Sequence, residues 1–145
     1  TDGNSIFFSN NKNEFYSIDL KTGSVNWKNE VNSLLTPIIL NDLIFTVSDE
    51  GYLFVIQKDK GNIIRINDLY SYFKEKKRKS IEPTGFIVAD KKLYLTNNNG
   101  NLITVDLETG SIMNVIKIGR DIILQPQIHN KNLYLIKNGN IISYD

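Results

Sequence analysis

The 145 residues include one histidine, His129, and no cysteine, and those two counts remove most side-chain chemistry at once. Without thiols there is no disulfide framework, no thiolate zinc site and no cysteine nucleophile. A lone imidazole cannot build a site that needs two or more histidines, nor an H-E-x-x-H helix. His129 lies beside Asn130 in the turn before the last hairpin of the pattern below, and no Ser or carboxylate pattern near it suggests a triad. The carboxylates Asp19, Asp49 and Asp106, and also Asp42 and Asp90, stand in turns, where solvent is expected. No catalytic, cofactor-binding or metal-ligating set emerges. Seventeen basic against sixteen acidic residues give a net charge of +1, without the basic surplus of a nucleic-acid binder. The densest charge is the run Lys76-Lys77-Arg78-Lys79.

These residues must be positioned by strands. Hydrophobic residues make up 41% of the chain and it has only one alanine, Ala89, whereas Ile and Asn are abundant. Alanine is the best helix former, β-branched and aromatic residues favour strands, and Asn and Gly favour tight turns. An all-β fold is predicted. No apolar run approaches the ~20 residues that span a bilayer. The start, Thr1-Asp2-Gly3-Asn4, has no signal-peptide pattern, so any targeting segment is expected to be already removed or never present.

The pattern repeats. The runs Ile6-Phe7-Phe8, Leu43-Ile44-Phe45, Leu93-Tyr94-Leu95 and Leu133-Tyr134-Leu135 align, and the first three are followed by Gly23, Gly61 and Gly110, spaced by 38 and 49 residues. The basic period is about 40, with an insertion over 68–80 in the second repeat. Each repeat reads as four short strands: Ile6–Ser9, Glu14–Asp19, Val25–Glu30 and Pro37–Leu40; then Leu43–Ser48, Tyr52–Gln57, Ile63–Asn67 and Gly85–Val88; then Leu93–Thr96, Leu102–Asp106, Ile112–Ile118 and Gln125–Ile128. A hairpin, Leu133–Lys137 with Ile141–Asp145, turns at Asn138-Gly139, a pair that accepts two positive φ angles. Four strands in roughly 40–45 residues is the signature of a β-propeller blade. The units are thus expected over about 6–40, 43–88, 93–128 and 133–145.

Ser17-x-Asp19-x-x-Thr22-Gly23-x-x-x-Trp27 resembles the tryptophan-docking repeat of pyrroloquinoline-quinone-type (PQQ-type) β-propellers. Thr104-x-Asp106-x-x-Thr109-Gly110 repeats it, with Asn114 in the tryptophan position. The second repeat departs further, with Gln57, Lys60 and Arg65 for Asp, Thr and Trp. Asp19 and Asp106 can accept N–H groups of the turn that follows, Gly23 and Gly110 permit its positive φ, and Trp27 would lie between neighbouring blades with its N–H on a backbone acceptor. Within the family the ending Leu133–Asp145 and the stretch Gly51–Ile56 with Lys60-Gly61 are most similar to outer-membrane assembly lipoproteins. That resemblance implies a seven- or eight-bladed, non-enzymatic periplasmic scaffold without cofactor, with protein partners such as the barrel assembly machinery. The same repeat occurs in ligand-sensing domains of receptor kinases and in quinone-dependent dehydrogenases. The latter need a calcium site, a catalytic Asp and frequently a vicinal cysteine pair, which this chain lacks.

The insertion is the local anomaly. Asp68 can serve as an N-cap, and Leu69, Tyr72, Phe73 and Lys76 fall at i, i+3, i+4 and i+7, which predicts a short helix with its basic end in water. Tyr70, Phe73, Lys76, Lys77, Arg78 and Lys79 form a candidate interaction patch for anionic lipid or an acidic partner. Three repeats and a hairpin also make an open ring, since closed propellers have about four to eight blades. Either further blades of a longer protein or a second copy of the chain is expected to cover its open faces.

Overall fold

The computed structural model describes residues 1–10 and 12–144 and is all-β, with one four-residue helix. Two compact units divide it at Asp68. The first contains β1 (Ser5–Ser9), β2 (Phe15–Asp19) and β3 (Val25–Asn29) in one sheet. A second sheet follows in order from β4 (Ile38–Leu40) through β5 (Leu43–Val47) and β6 (Tyr52–Gln57) to β7 (Ile63–Asp68). The second unit opens with α1 (Glu75–Arg78) and the sheet β8 (Pro83–Ala89), β9 (Lys92–Asn97), β10 (Asn101–Asp106) and β11 (Ile112–Lys117). It closes with β12 (Gln127–His129), β13 (Asn132–Lys137) and β14 (Asn140–Tyr144). All neighbours are antiparallel and consecutive in sequence, the up-and-down meander of a propeller blade. The expected last strand ran to Asp145, which lies outside the described residues.

Hydrogen bonding groups the strands differently from the repeat units read in the sequence. The strand near residue 40 does not close the first sheet but opens the second: Ile38 pairs with Phe45 and Leu40 with Leu43. β8 and β12 likewise join the strands that follow them, so the sheets number three, four, four and three strands. The reason is connection length. A two-residue turn at Asp90-Lys91 or Asn130-Lys131, with both residues at positive φ, forces a hairpin, whereas the longer links 30–37 and 118–126 release the chain to another sheet. His129 accordingly ends β12 as an exposed residue paired with Asn132, one step before the turn.

Burial falls from the inner strands to the outer ones. In β5 every residue after Leu43 is buried, whereas β3 and β7 have no fully buried residue. A bulge recurs at one register position in three sheets, between Ser17 and Ile18, Val55 and Ile56, and Thr104 and Val105. It leaves Asn26, Ile64 and Met113 as the extra residues, all exposed, and so adds twist to each outer strand. Phe7, Phe45 and Tyr94 occupy one position in successive sheets, opposite Ser17, Val55 and Thr104; Tyr134, opposite Ser143, continues the series.

A cross-strand pair tightens the first sheet. Lys28 Nζ lies 2.6 Å from Glu14 Oε1 and over the Tyr16 ring, while Asn10 Nδ2 donates to Glu14 Oε2 at 2.7 Å. Lys28, seconded by Asn10, holds the Glu14 carboxyl at about 2, below its ordinary 4.5. Because the folded value is the lower one, the contribution is complete above about 4.5 and fades as pH falls toward 2. Carbon-detected NMR should find Glu14 titrating near 2, and Lys28→Ala should move its midpoint upward.

Candidate functional site

The motif residues form a docking device in the first unit. Asp19 Oδ1 accepts from Lys21 N at 2.9 Å, from Thr22 N at 2.7 Å and from Thr22 Oγ1 at 2.9 Å. Those bonds, led by the Thr22 N–H, lower the Asp19 carboxyl below its usual range. Gly23 carries φ +73° and lets the chain turn into β3. In the second unit Asp106 Oδ1 accepts from Thr109 N at 2.7 Å and Thr109 Oγ1 at 2.9 Å, and Gly110 has φ +76°. Each of these carboxylates accepts with one oxygen from its own turn and so fixes the turn's shape.

Trp27, on β3, reaches the next sheet. Its Nε1–H donates to the Lys58 carbonyl at 2.8 Å, and Asn29 Nδ2 donates to the Gly61 carbonyl at 2.7 Å. The half-buried indole stacks on Phe15 at 5.9 Å and 9°, with Phe7 tilted beside it at 6.0 Å. It packs with Phe7, Phe15, Ile39, Ile44 and Ile56 in one cluster. Gly61 lies flat on the ring: a Cβ there would come 2.6 Å from Trp27 Cδ2. The register puts Arg65 and Asn114 in the positions equivalent to Trp27, opposite Val55 and Thr104 as Trp27 is opposite Ser17.

The insertion differs from the expected helix. Asp68 ends β7, paired with Tyr52, and α1 starts only after Lys74, which makes no side-chain cap. Leu69 and Tyr70 are both fully buried, while Tyr72, which the helix would have turned inward, is 71% exposed. The buried residues are thus not those of the predicted face: Tyr70, which that face left out, is inside, and Tyr72, which it included, is outside. Tyr70 therefore leaves the candidate patch and becomes core: burial raises its phenol above the ordinary range, and a hydrogen bond with Asn97 opposes this. Phe73 stands edge-on to Tyr70 and to Tyr72, at 5.6 Å and 5.8 Å. Lys76, Lys77 and Lys79 are exposed together with Lys74, and Arg78 is half-buried.

Sequence reasoning missed a set of buried hydroxyls. Ser33 Oγ donates to the Val47 carbonyl at 2.7 Å and accepts from Thr46 Oγ1, and the Ser9 hydroxyl reaches the Ser33 carbonyl. In the second unit Thr96 Oγ1 lies 3.1 Å from both the Gly85 and Leu124 carbonyls, and Thr84 bonds the Ile123 carbonyl. They tie the long links to the inner strands, and a Ser or Thr in an apolar run gives no sequence signal of this. Among the described residues no three or more of His, Cys, Asp and Glu gather as a metal site, and no helix is long and apolar enough to cross a membrane.

Comparison with known proteins agrees with this geometry. A family model described as outer membrane protein assembly factor BamB matches residues 1–67. The outer membrane protein assembly factor BamB of Shewanella oneidensis is 30% identical over 114 residues, which are 74% of this chain; the chain spans only 26% of that relative. The crystal structure of BamB from Moraxella catarrhalis superposes with a TM-score of 0.78 at 13% identity, over 99% of this chain and 40% of that one. Quinohemoprotein alcohol dehydrogenase from Comamonas testosteroni aligns at 0.63 and 17% identity, over 78% of this chain and 19% of that one. The fold is that of β-propeller blades, and the chain resembles PQQ-type propellers such as BamB.

Two substitutions separate the strain at a turn from the contact with the indole. Gly23 and Gly61 share φ near +73°, but a Cβ at Gly23 meets nothing within 4 Å. Gly23→Ala should cost about 1–2 kcal/mol, the left-handed penalty alone, and Gly61→Ala distinctly more in the same urea titration. Trp27→Ala should cost about 3 kcal/mol, the low end for a large aromatic because the ring is half-buried. Equal midpoints for the two alanine variants would remove Gly61 from the docking device.

Proposed function

We propose that this chain is part of a non-enzymatic, periplasmic scaffold that supports the assembly of β-barrel outer-membrane proteins; its curated relative is named an outer membrane protein assembly factor. The observation that carries the reading is the 30% identity to BamB over 74% of the chain, on a fold of which 99% superposes on 40% of a BamB structure. The bonds that Asp19 and Asp106 each accept through Oδ1 from their own turns support a structural use of the repeat. In this reading the strands provide rigidity and the loops provide contacts. The loop after β7, with Lys74, Lys76, Lys77 and Lys79 around the exposed Tyr72, offers a cationic, aromatic surface suited to an acidic face of a protein partner.

The test is complementation. In Shewanella oneidensis deprived of its own BamB, the full-length protein with an export signal should restore the level of outer-membrane barrel proteins. Replacement of the four lysines by Glu should abolish that rescue without lowering the thermal midpoint. A folded, exported protein that leaves barrel levels unchanged would overturn the scaffold reading. Rescue by the four-Glu variant would overturn the role of the loop alone. Calorimetric titration with pyrroloquinoline quinone and with calcium should give no saturable heat, and micromolar affinity for either would favour a quinone-dependent dehydrogenase instead.

A further inference from the structure

The tryptophan position is occupied by asparagine in the second unit, and the space remains. Around Asn114 a cavity of about 360 Å³ opens between the sheet β8–β11 and the sheet β12–β14. Its apolar lining includes Tyr94, Leu102, Ile128, Leu133 and Tyr144. Strand register makes these five the counterparts of Phe7, Phe15, Ile39, Ile44 and Ile56, which with Val31 and Phe54 form the cluster around Trp27 in the first unit. One slot is filled by the chain's own indole, and among the described residues no side chain fills the other.

We propose that the slot at Asn114 is a binding site for a small planar aromatic ligand of indole size. The repeat indicates the size of the occupant, because the equivalent five positions surround an indole in the first unit, where Phe15 stands in place of Leu102. A side-chain volume left empty inside an apolar frame takes up a small molecule of matching shape. The cavity is at the lower end of the range for ligand pockets, about 300 Å³. Polar groups border the apolar frame, namely Thr104 and Asn114 on β10 and β11 and Asp90, Lys92 and Lys131 at the two hairpin turns. The Asn114 amide, at the register position that Trp27 holds on β3, can either donate to or accept from a heteroatom of the ligand. This site is independent of the scaffold reading and would stand if that reading failed.

Titration of the isotope-labelled chain with indole, followed by amide and methyl NMR, tests it. Resonances of Tyr94, Ile128 and Tyr144 should shift saturably, with half-saturation near about 1 mM, the range open to a ligand of so few atoms. Those of Phe15 and Ile39, around the filled slot, should stay in place. Asn114→Trp should weaken the response at least ~10-fold by occupying the slot from within, the analogue of a tenfold loss per 1.4 kcal/mol. Asn114→Phe serves the same purpose if the larger ring prevents folding. Absent or non-saturating shifts, equal shifts at both slots, or an undiminished response in the filled variants would each overturn the proposal. So would loss of the response in a longer chain that carries this segment, since the slot would then belong to that chain's own residues.

Discussion

A small twisted antiparallel sheet has two faces, and a chain that makes one sheet from three or four five-residue strands cannot cover either face by itself. Every other feature follows from that shortage of cover. The inner strands β5, β6, β9 and β10 are rich in Ile, Leu, Val and Phe because both their faces are buried, and the outer strands lose that richness residue by residue. Contact between sheets supplies part of the missing cover, and each unit has such a cluster. Hydrophobic burial is non-directional, so something else must set how one sheet sits on the next. In the first unit that is the indole of Trp27, with a hydrogen bond to Lys58 at its tip and Gly61 pressed on its face.

The repeat keeps this frame while changing its centre. Trp27, Arg65 and Asn114 occupy one register position, and the bulge beside each is the same. The Asp-Thr-Gly turn survives at Asp106 although the ring it delivers in the first unit is gone. Turn and ring are thus separable parts: one sets the backbone path from the third strand's start, the other fills the gap between sheets.

Much of this was legible in the residues. Fourteen strands were placed to within a few residues because turn chemistry and two-residue alternation agree along almost the whole chain. The motif at Asp19 and Trp27 also announced a docking contact. The phase of the repeat was not legible: a period looks the same wherever it is cut, and only hydrogen bonding of Ile38–Leu40 to Leu43–Phe45 tells which sheet owns a strand. The insertion misled because Leu69, Tyr72, Phe73 and Lys76 mimic a helical face, whereas burial selects Leu69 and Tyr70 and leaves Tyr72 outside. The hydroxyl bonds of Ser33 and Thr96 were invisible, since their partners are backbone carbonyls distant in sequence. The gap at Asn114 was visible only as a departure from a motif; its volume required the neighbouring sheet.

The recurring bulge has a consequence for how this chain behaves beside copies of itself. Outer strands are where an unrelated chain could add by backbone pairing and start a fibril, and β7 and β11 present Ile64, Ile66 and Met113 to solvent, each more than half exposed. A growing ladder needs an unbroken row of alternating donors and acceptors. The extra residue at Ile64 or Met113 interrupts that row on the strand that would be the template, and the added twist carries the two halves out of line. A visiting strand finds a match for only a few residues before its register fails. The same irregularity that aims Trp27 across to Lys58 thereby makes each outer strand a poor seed for aggregation, even where its side chains are apolar.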